Sequence, residues 1–491
     1  MLQKKAIVIG SGIAGIAIAI RLAARGYQVR ILEANAWPGG KLTQIRSQGY
    51  RFDAGPSLFT LPNLVDELFE LCGENPADRF RYDKLETICR YHYEDGTRIH
   101  AFQDVDAFAR ELDNKTSDTG KSLIAFLNRS RELYELTSPV FIFRSFHRLS
   151  TFFSKDFIRA LLRLHRLFAF SSMHDVITRY FSDSRTARLF DRYATYNGSN
   201  PYIAPGTLNV IPYLEHHLGA YFPSGGMYSI TESLVSLAGR MGVELHLNSA
   251  VDEIIIRENR IKGVLCSGKI TEAGLVISDV DIARAYELMP GCILPAKYRK
   301  QERSTSALIF YWCMKGELPD LDLHNIFFSE DYREEFRHLF GEKTIYRDPT
   351  VYVYISCLKI PGDAPAGGQN WFVMINAPEN IGQDWPQFRK EARRNILSKL
   401  NRMLGTKLEE KIVLEEILDP PAIESRTSSY RGSLYGISSN SRLSAFSRHP
   451  NFNRKVRGLY FAGGSVHPGG GIPLCLASAK IVDRLITRAH N

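Results

Sequence analysis

The chain lacks the signatures of several common protein classes. Its seven cysteines are scattered, and no two of them form a C-x-x-C pair, which favours reduced thiols over a disulfide framework or a zinc site. Outside a glycine-broken start, no run reaches the roughly 18 apolar residues of a membrane-spanning helix. Neither a Ser-His-Asp arrangement nor metal-ligand spacing stands out. We therefore expect a cytoplasmic globular protein with no metal site and no catalytic triad.

Length and composition indicate more than one domain. The 491 residues are 44% hydrophobic and 23% charged, as in a globular chain that is too long for one ordinary domain. The formal net charge of +9 can attract an anionic partner. No nucleic-acid motif accompanies the basic residues, so nucleic acid is not an expected partner.

The first 33 residues carry the pattern of a dinucleotide-binding unit. An apolar strand leads into Gly10, Gly12 and Gly15, a helix follows, and a second apolar strand ends at Glu33. Gly10 allows a tight turn, Gly12 lets the backbone approach a pyrophosphate, and Gly15 lets the helix pack closely on the strand. Glu33 can accept hydrogen bonds from an adenosine ribose. This order predicts a doubly wound α/β domain.

A signal peptide is the alternative interpretation of the same segment. Lys4 and Lys5 precede an apolar run over residues 6–20, which is the usual order of a secretory leader. Three glycines inside the run weaken an apolar helix. The second strand, which ends at Glu33, completes a nucleotide-binding unit only if the segment is retained in the mature protein. We therefore favour the nucleotide site over a signal peptide.

Two further glycine clusters point to a flavin cofactor. Gly39 and Gly40 let the backbone pass close to a cofactor, and Lys41 can face its phosphates. A compact turn cluster follows at Gly55, Pro56 and Ser57. A plain nicotinamide dehydrogenase needs neither feature, so FAD is the expected cofactor.

The C-terminal region supplies a possible second half of the site. Another apolar strand ends at Gly464, and Gly471, Ile472 and Pro473 open the last helix. Such a loop can turn N–H groups and a positive dipole end toward a flavin carbonyl, or it can be a structural turn. His467 lies beside it and is a weak catalytic candidate, because it can polarise the flavin or merely cap the turn.

Several segments, in order, resemble the bacterial phytoene-desaturase-type carotenoid desaturases. They span almost the whole chain and comprise residues 10–15, 33, 38–41, 52–57, 221–228, 276–281 and 467–473. The resemblance implies a cofactor role for Asp279 and an adenine contact for the backbone of Val251. Two positions depart from the family pattern: Lys41 stands where arginine is usual, and Leu474 stands where glycine is common.

The resemblance also implies the domain organisation. An FAD-binding, Rossmann-like domain is expected over residues 1–85, 225–290 and 455–491. An inserted mixed α+β substrate-binding domain is expected over 86–134 and 291–454. A helical, membrane-associating region is expected over 135–224.

Residues 141–170 combine many phenylalanines with basic residues. At about 100° per residue a helix places Phe157, Leu161, Leu164 and Phe168 on one face and Arg159, Arg163 and Arg166 on the other. This pattern is typical of binding to anionic lipid, although a surface helix packed on its own core has it too. Because a carotenoid resides in the bilayer, the resemblance favours peripheral association with the cytoplasmic membrane.

The implied reaction is the introduction of conjugated double bonds into a carotenoid by hydride transfer to flavin N5. The protein then supplies orientation and excludes water, so an apolar tunnel is expected. Alternate residues of the aromatic stretches 310–312, 351–355 and 371–375 can line it. The alternatives are phytoene desaturase proper, a carotenoid cis–trans isomerase, a polyene saturase, an amine-oxidase-like flavoenzyme, and a non-enzymatic prenyl-binding escort.

A polar stretch over residues 191–202 bears on the substrate. It carries several hydroxyls and amides, and it resembles family members that act on hydroxylated or partly desaturated carotenoids. A terminal hydroxyl is therefore expected, with desaturation at the 3,4 position. Turn chemistry is the alternative, because Asn-Gly and Asn-Pro are turn signals.

Overall fold

The computed structural model describes residues 4–163, 167–168, 170–318 and 320–490. Its strands are β1 (Lys5–Ile9), β2 (Gln28–Leu32), β3 (Gln44–Ser47), β4 (Tyr50–Asp53), β5 (Tyr82–Lys84), β6 (Thr87–His92), β7 (Arg98–Phe102), β8 (Tyr221–Pro223), β9 (Glu244–His246), β10 (Val251–Arg257), β11 (Arg260–Cys266), β12 (Lys269–Glu272), β13 (Leu275–Ser278), β14 (Ser306–Lys315), β15 (His324–Phe327), β16 (Val351–Tyr354), β17 (Gly368–Ala377), β18 (Ile412–Leu418) and β19 (Leu459–Phe461).

The helices include one long run, α3 to α9, between β7 and β8. They are α1 (Ile13–Ala23), α2 (Asn63–Leu71), α3 (Val105–Lys115), α4 (Gly120–Phe141), α5 (Leu149–Phe152), α6 (Lys155–Leu162), α7 (Met173–Ile177), α8 (Ser184–Asp191), α9 (Ile211–Tyr213), α10 (Tyr228–Arg240), α11 (Ile282–Glu287), α12 (Ala296–Arg299), α13 (Tyr332–Phe336), α14 (Trp385–Leu404), α15 (Pro420–Thr427), α16 (Ser444–Ser447) and α17 (Ile472–His490).

The first of the two large sheets is parallel and has the strand order β19-β13-β1-β2-β9. Its central strand β1 is continuously apolar because both faces of the sheet are covered. Helices α1, α2, α10 and α17 share a core with one face. The other face packs against α11 and the antiparallel sheet β10-β11-β12. The predicted α/β class is confirmed, with a small β-sheet rather than helices covering much of the second face.

The second sheet is mixed and has the order β18-β14-β17-β16-β15-β6-β7. Side chains alternate along its strands, as strand geometry requires. Phe310 and Trp312 pack on the side of α14, whereas Ile309 and Tyr311 belong to the core on the opposite side. The second side faces a large cavity. Alternation therefore divides the aromatic strands between core and cavity.

The strands of the two sheets fall into different predicted domains. The parallel sheet draws its strands from 1–85, 225–290 and 455–491, and the mixed sheet draws its strands from 86–134 and 291–454. Helix α4 runs across the predicted boundary between 134 and 135. The boundaries themselves stay predictions.

The predicted amphipathic helix through Phe168 is not one continuous helix. Helix α6 begins after the N-cap Ser154 and ends at Leu162, and Phe168 lies in a turn with φ of 50°. The Phe168 ring is sandwiched between the guanidinium groups of Arg129 and Arg179, at 4.6 and 5.5 Å. This packing removes Phe168 from the predicted apolar face. Leu164 and Arg166 of that prediction lie outside the described residues.

No helix within the described ranges combines the length and apolar character that crossing a bilayer requires.

Candidate active site

A cavity of about 1010 Å³ joins the glycine loops of the parallel sheet to the inner face of the mixed sheet. Pockets for small molecules usually measure roughly 300–1,000 Å³. Glu33, Gly40 and Ser57 line the first part, and Tyr196 and Tyr352 line the second. The cavity therefore has room for a cofactor beside a substrate.

The turn between β1 and α1 tolerates only glycine at its key positions. Gly10 has φ of 92°, in the left-handed region. A Cβ atom at Gly12 would lie 2.5 Å from Asp279 Oδ2, and one at Gly15 would lie 2.3 Å from the carbonyl oxygen of Gly10. The Gly15 distance agrees with close packing of α1 on β1, and the cofactor contacts of these glycines stay predictions.

Glu33 lies buried at the end of β2 and lines the cavity. Its Oε2 accepts hydrogen bonds from the Ser11 N–H at 2.8 Å and the Ser11 hydroxyl at 2.7 Å. Its Oε1 accepts from the N–H of Asn35 at 2.9 Å. The carboxylate is therefore held in one orientation. The side-chain amide of Asn35 also donates to Oε1, at 2.9 Å, so four hydrogen bonds occupy the roughly four acceptor positions of this carboxylate, and a ribose contact of Glu33 stays a prediction.

The loop from Gly39 to Lys41 closes over the same end of the cavity. Gly39 has φ of 106°, and a Cβ atom there would lie 2.2 Å from the carbonyl oxygen of Leu42. Lys41 is half-buried, and the desolvation of its amine lowers the pKa of that group. Its Nζ donates to the carbonyl oxygen of Leu434 at 2.9 Å, so this lysine ties the loop to residues that precede β19. A phosphate contact of Lys41 stays a prediction.

The turn of Gly55, Pro56 and Ser57 lies against that loop. A Cβ atom at Gly55 would lie 1.8 Å from the carbonyl oxygen of Lys41. All three residues line the cavity, and the Ser57 hydroxyl bonds the hydroxyl of Tyr352 at 2.6 Å. The turn therefore connects the predicted flavin region to the mixed sheet.

The N-terminus of α17 supplies the opposite wall. Gly464, Gly471, Ile472 and Pro473 all line the cavity. Gly471 has φ of 104°, and open space lies where its Cβ atom would be. The first-turn N–H groups of a helix have no partner within it and lie at its positive end. This wall can therefore donate hydrogen bonds to a carbonyl group of a bound ring.

His467 is held by hydrogen bonds on both its ring and its backbone. Its Nε2 bonds the carbonyl oxygen of Arg144 at 2.7 Å, and its own carbonyl accepts from Asn451 at 2.7 Å. Burial lowers the pKa of His467 to about 3, so its ring is neutral. This geometry supports the turn-stabilising interpretation, and a catalytic role stays a prediction.

Asp279 ends β13 beside the glycine turn. Its Oδ2 accepts a hydrogen bond from the N–H of Gly15 at 2.7 Å. Burial raises the pKa of Asp279 to about 7, with a smaller contribution from Glu33 and an opposing one from Lys41. Val251 begins β10, is buried and lines the cavity. Both residues therefore lie at the predicted nucleotide end.

These residues fit FAD. Glycines make the wall where a pyrophosphate approaches, and the first turns of α1 and α17 both border the cavity. When bound, FAD supplies the acceptor for the hydrogen and electrons removed in an oxidation. The chain's own residues hold the cofactor, orient the substrate and exclude water.

The far part of the cavity contains a buried polar cluster that sequence reasoning identified only in part. Arg192, Thr195, Tyr196 and Asn197 of the predicted stretch 191–202 line the cavity. The Arg192 guanidinium donates to the hydroxyls of Tyr91 and Tyr196, at 2.6 and 2.9 Å. Glu215, 3.6 Å from Arg192, accepts from Tyr193 and Tyr196.

His324 lines the cavity although the sequence did not single it out, whereas Tyr352 belongs to the aromatic stretch 351–355 that was expected to line a tunnel. They lie on the neighbouring strands β15 and β16, and His324 Nδ1 bonds the Tyr352 hydroxyl at 2.8 Å. Phe372 and Met374 of β17 also line the cavity, while Trp371 and Val373 face the other core. The alternating pattern was visible in the sequence, but which half faced a cavity was not.

Known proteins define the class of this fold and site. The family model described as flavin containing amine oxidoreductase matches residues 13–485. An oxidoreductase from Methanosarcina mazei has a TM-score of 0.65 at 14% identity, with 99% of this chain and 100% of that chain covered. Putrescine oxidase bound to putrescine has a TM-score of 0.62 at 15% identity, with 99% of each chain covered. The protein is an FAD-dependent oxidoreductase with a mixed α/β flavoenzyme fold.

Curated relatives narrow that class. The 1-hydroxycarotenoid 3,4-desaturase of Flavobacterium sp. (strain P99-3) is 48% identical over 489 residues, which is 99% of this chain and 100% of that protein. The 4,4'-diapolycopene oxygenase of Methylomonas sp is 32% identical over 498 residues, which is 99% of this chain and 98% of that protein. The chain belongs to the flavin-containing amine oxidoreductase family and, within it, to the FAD-dependent carotenoid desaturases.

Ionisation of the Asp279 carboxyl group is expected to make FAD binding depend on pH. Glu33, Lys41 and Cys475 face its carboxyl group, and the ionised form places negative charge beside the expected pyrophosphate. Raising the pH from one unit below the Asp279 pKa to one unit above it is expected to weaken FAD binding about tenfold, because binding favours the neutral acid. Quenching of flavin fluorescence measures this dissociation constant without turnover.

The matched variant is Asp279→Asn, which keeps the shape of the side chain and removes its charge. Its FAD dissociation constant is expected to change little over the same pH interval. A variant with the same pH profile as the unaltered protein contradicts the assignment.

Proposed function

We propose that this desaturase acts on a carotenoid that carries a terminal tertiary hydroxyl, and that it introduces a double bond at the 3,4 position. The proposal depends on one observation: the cavity has a polar end, and the rest of its wall is largely apolar. Arg192, Tyr196 and Tyr352 lie at the polar end, and Ile211, Leu214 and other aliphatic side chains line the approach. The name of the Flavobacterium relative supports the same substrate class.

A substrate of this kind matches the cavity chemically. A polyene precursor has no acidic proton or carbonyl group at the bond to be oxidised, so the site needs no acid–base triad near that bond. It needs dry walls that orient the chain and a group that recognises its end. Only C2 separates the hydroxyl-bearing carbon C1 from C3. The recognised hydroxyl and the C3–C4 bond to be oxidised therefore lie close together in the substrate.

The cofactor assignments predicted from the sequence form part of the proposal. We place the ADP half of FAD against the β1–α1 turn and Glu33, and the flavin ring against the N-terminus of α17. The residues that carry these roles are Gly10, Gly12, Gly15, Glu33, Gly39, Gly40, Lys41, Gly55, Pro56, Ser57, Val251, Asp279, Gly464, Gly471, Ile472 and Pro473. All of them except Gly15 line one cavity, which supports the assignment.

The decisive experiment offers defined carotenoids to the FAD-loaded protein in lipid vesicles. A 1-hydroxylated carotenoid is expected to lose two hydrogens and to absorb at longer wavelength, as mass and absorption spectra show. An unchanged mass with altered spectrum indicates an isomerase, and a gain of hydrogen indicates a saturase. Conversion of phytoene but not of the hydroxylated compound indicates a phytoene desaturase.

An exposed apolar surface supports peripheral association with the cytoplasmic face of a membrane. We define the membrane patch as Phe152, Phe153, Ile158, Leu161, Leu162 and Phe170. The exposed fractions are 80% for Phe153 and 76% for Leu162, which is unusual for such large apolar side chains. Arg159 and Arg163 are exposed within the same stretch and suit anionic lipid headgroups.

The membrane patch adjoins an end of the cavity. Phe141, Ile142 and Phe446 line the cavity, and the ring of Phe146 contacts both Phe141 and Phe152, with centroids 4.5 and 6.4 Å apart. Aromatic contacts therefore connect the membrane patch to the cavity wall. This continuity supports a membrane source for the carotenoid.

If the membrane patch binds lipid, polar substitutions in it are expected to weaken binding to vesicles. Replacing both Phe153 and Leu162 with serine is expected to lower binding to phosphatidylglycerol vesicles at least roughly tenfold, because burying each side chain contributes about 1.5–3 kcal/mol. Vesicle sedimentation measures the bound fraction. Ile293→Ser is the matched control, since Ile293 is 79% exposed outside the patch. Equal loss in the control, or no loss in the double variant, contradicts the proposal.

A further inference from the structure

The imidazole of His324, a residue of the cavity wall, has one buried hydrogen-bonding atom without a partner among the described residues. His324 is 4% exposed and lines the cavity wall. Its Nδ1 bonds the hydroxyl of Tyr352 at 2.8 Å, while its Nε2 has no hydrogen-bond partner among the described residues. A buried polar atom without a partner is costly, and native proteins rarely leave one unless a ligand or water supplies the bond.

A chain of three side chains holds this imidazole in place. The Ser57 hydroxyl bonds the Tyr352 hydroxyl at 2.6 Å, and that hydroxyl bonds His324. The rings of His324 and Tyr354 are stacked, with centroids 5.3 Å apart. Burial, with a smaller contribution from the Arg192 charge, lowers the pKa of His324 to about 3, so the ring is neutral.

The neutral ring suits an alcohol in either of its tautomers. If Tyr352 donates to Nδ1, then Nε2 carries the proton and donates. If Nδ1 donates to Tyr352, then Nε2 is an acceptor. A hydroxyl group both donates and accepts, so it satisfies either form, whereas an ether can only accept and a hydrocarbon end can do neither.

The surroundings of His324 suit a substrate end rather than free solvent. Ile88, Cys89, Ile326 and Met374 line the same part of the cavity. Ser57, at the other end of the three-residue chain, belongs to the turn proposed to border the flavin. The three-residue chain therefore links the imidazole of His324 to that turn.

We propose that His324 Nε2 binds the terminal hydroxyl of the carotenoid and that the Ser57–Tyr352–His324 chain is the specificity determinant for hydroxylated substrates. This inference rests on the proposed function, because it names the group that recognises the hydroxyl.

The test compares a 1-hydroxylated carotenoid with its deoxy analogue in one mixture, and measures both products by mass spectrometry. His324→Leu is expected to lower the selectivity for the hydroxylated compound roughly tenfold to hundredfold, because the substrate hydroxyl loses its buried partner. His324→Gln, which restores a polar group near the position of Nε2, is expected to recover part of the selectivity. Tyr352→Phe keeps the ring and is expected to lower selectivity less than His324→Leu.

The control is His92→Phe on the adjacent strand β6. His92 is also buried with an unpartnered Nε2, but it stacks on Phe327, with ring centroids 4.3 Å apart, and is not among the cavity-lining residues. Bound flavin, read from the visible spectrum, reports whether each variant is folded. His92→Phe is expected to keep the selectivity of the unaltered protein.

The outcomes separate the two proposals. If the unaltered protein does not desaturate the hydroxylated compound, the proposed function is wrong. If it does, but flavin-loaded His324→Leu and Tyr352→Phe both retain its selectivity, the assignment of His324 is wrong and the proposed function stands.

Discussion

Replacing Gly15 with alanine is expected to yield a protein that retains almost no FAD. Alanine ordinarily stabilises a helix relative to glycine by about 1 kcal/mol. Here the added Cβ atom would lie 2.3 Å from the carbonyl oxygen of Gly10 and 2.8 Å from Asp279 Oδ2. The carbonyl is backbone and cannot rotate away, so α1 must move off the sheet, at a cost of about 3 kcal/mol or more.

The helix shift also displaces the N–H groups that are proposed to border the pyrophosphate. The ratio of flavin to protein absorbance after purification measures FAD retention. Gly239→Ala is the matched control, since Gly239 lies in helix α10 with ordinary φ and nothing within 4 Å of the added Cβ atom. That variant is expected to keep its FAD. Full flavin content in Gly15→Ala refutes the packing argument.

Replacing Glu215 with alanine is expected to lower the free energy of unfolding by about 3–5 kcal/mol, because it leaves a buried charge without its partner. Glu215 is fully buried, lies 3.6 Å from the Arg192 guanidinium, and accepts from the hydroxyls of Tyr193 and Tyr196. Without Glu215, the Arg192 guanidinium and the hydroxyls of Tyr193 and Tyr196 lose this partner beside the cavity. Urea denaturation measures the stability, and substrate turnover reports the state of the cavity.

The matched control is Glu244→Ala, which breaks a surface ion pair with Arg30. The two side chains of that pair are 54% and 48% exposed, so the expected change is below about 1 kcal/mol. Glu215→Gln keeps hydrogen-bonding capacity for the tyrosines and removes the charge, so its loss is expected to be intermediate. Equal losses in Glu215→Ala and Glu244→Ala contradict a buried ionic cluster.

The membrane region shows where sequence periodicity is not enough. Helical spacing grouped Phe157 and Leu161 with Phe168 on one face. In the folded chain α6 ends at Leu162, and Phe168 turns inward between two arginines. Periodicity describes only an uninterrupted helix. The cation–π contacts that hold Phe168 come from α4 and from a turn after α7, which local sequence does not reveal.

The sequence by itself determined the fold class, the FAD cofactor and the desaturase family. These properties depend on local constraints. A tight turn, a close backbone approach and an acid at the end of a strand each demand particular residues at fixed spacing, as at Gly10, Gly12 and Glu33. Such constraints can be read without knowing any long-range contact.

Only the tertiary structure decided which middle residues face the cavity. Ser57 and Tyr352 are 295 positions apart, and they meet because the Gly55–Ser57 turn packs against the mixed sheet. His324 lies on the cavity side of the mixed sheet because β15 pairs with β16 in one register; a shift of one residue would turn its side chain to the other face. Register and sheet order depend on the whole fold, so the residues proposed to recognise the substrate come together only when these distant strands are assembled.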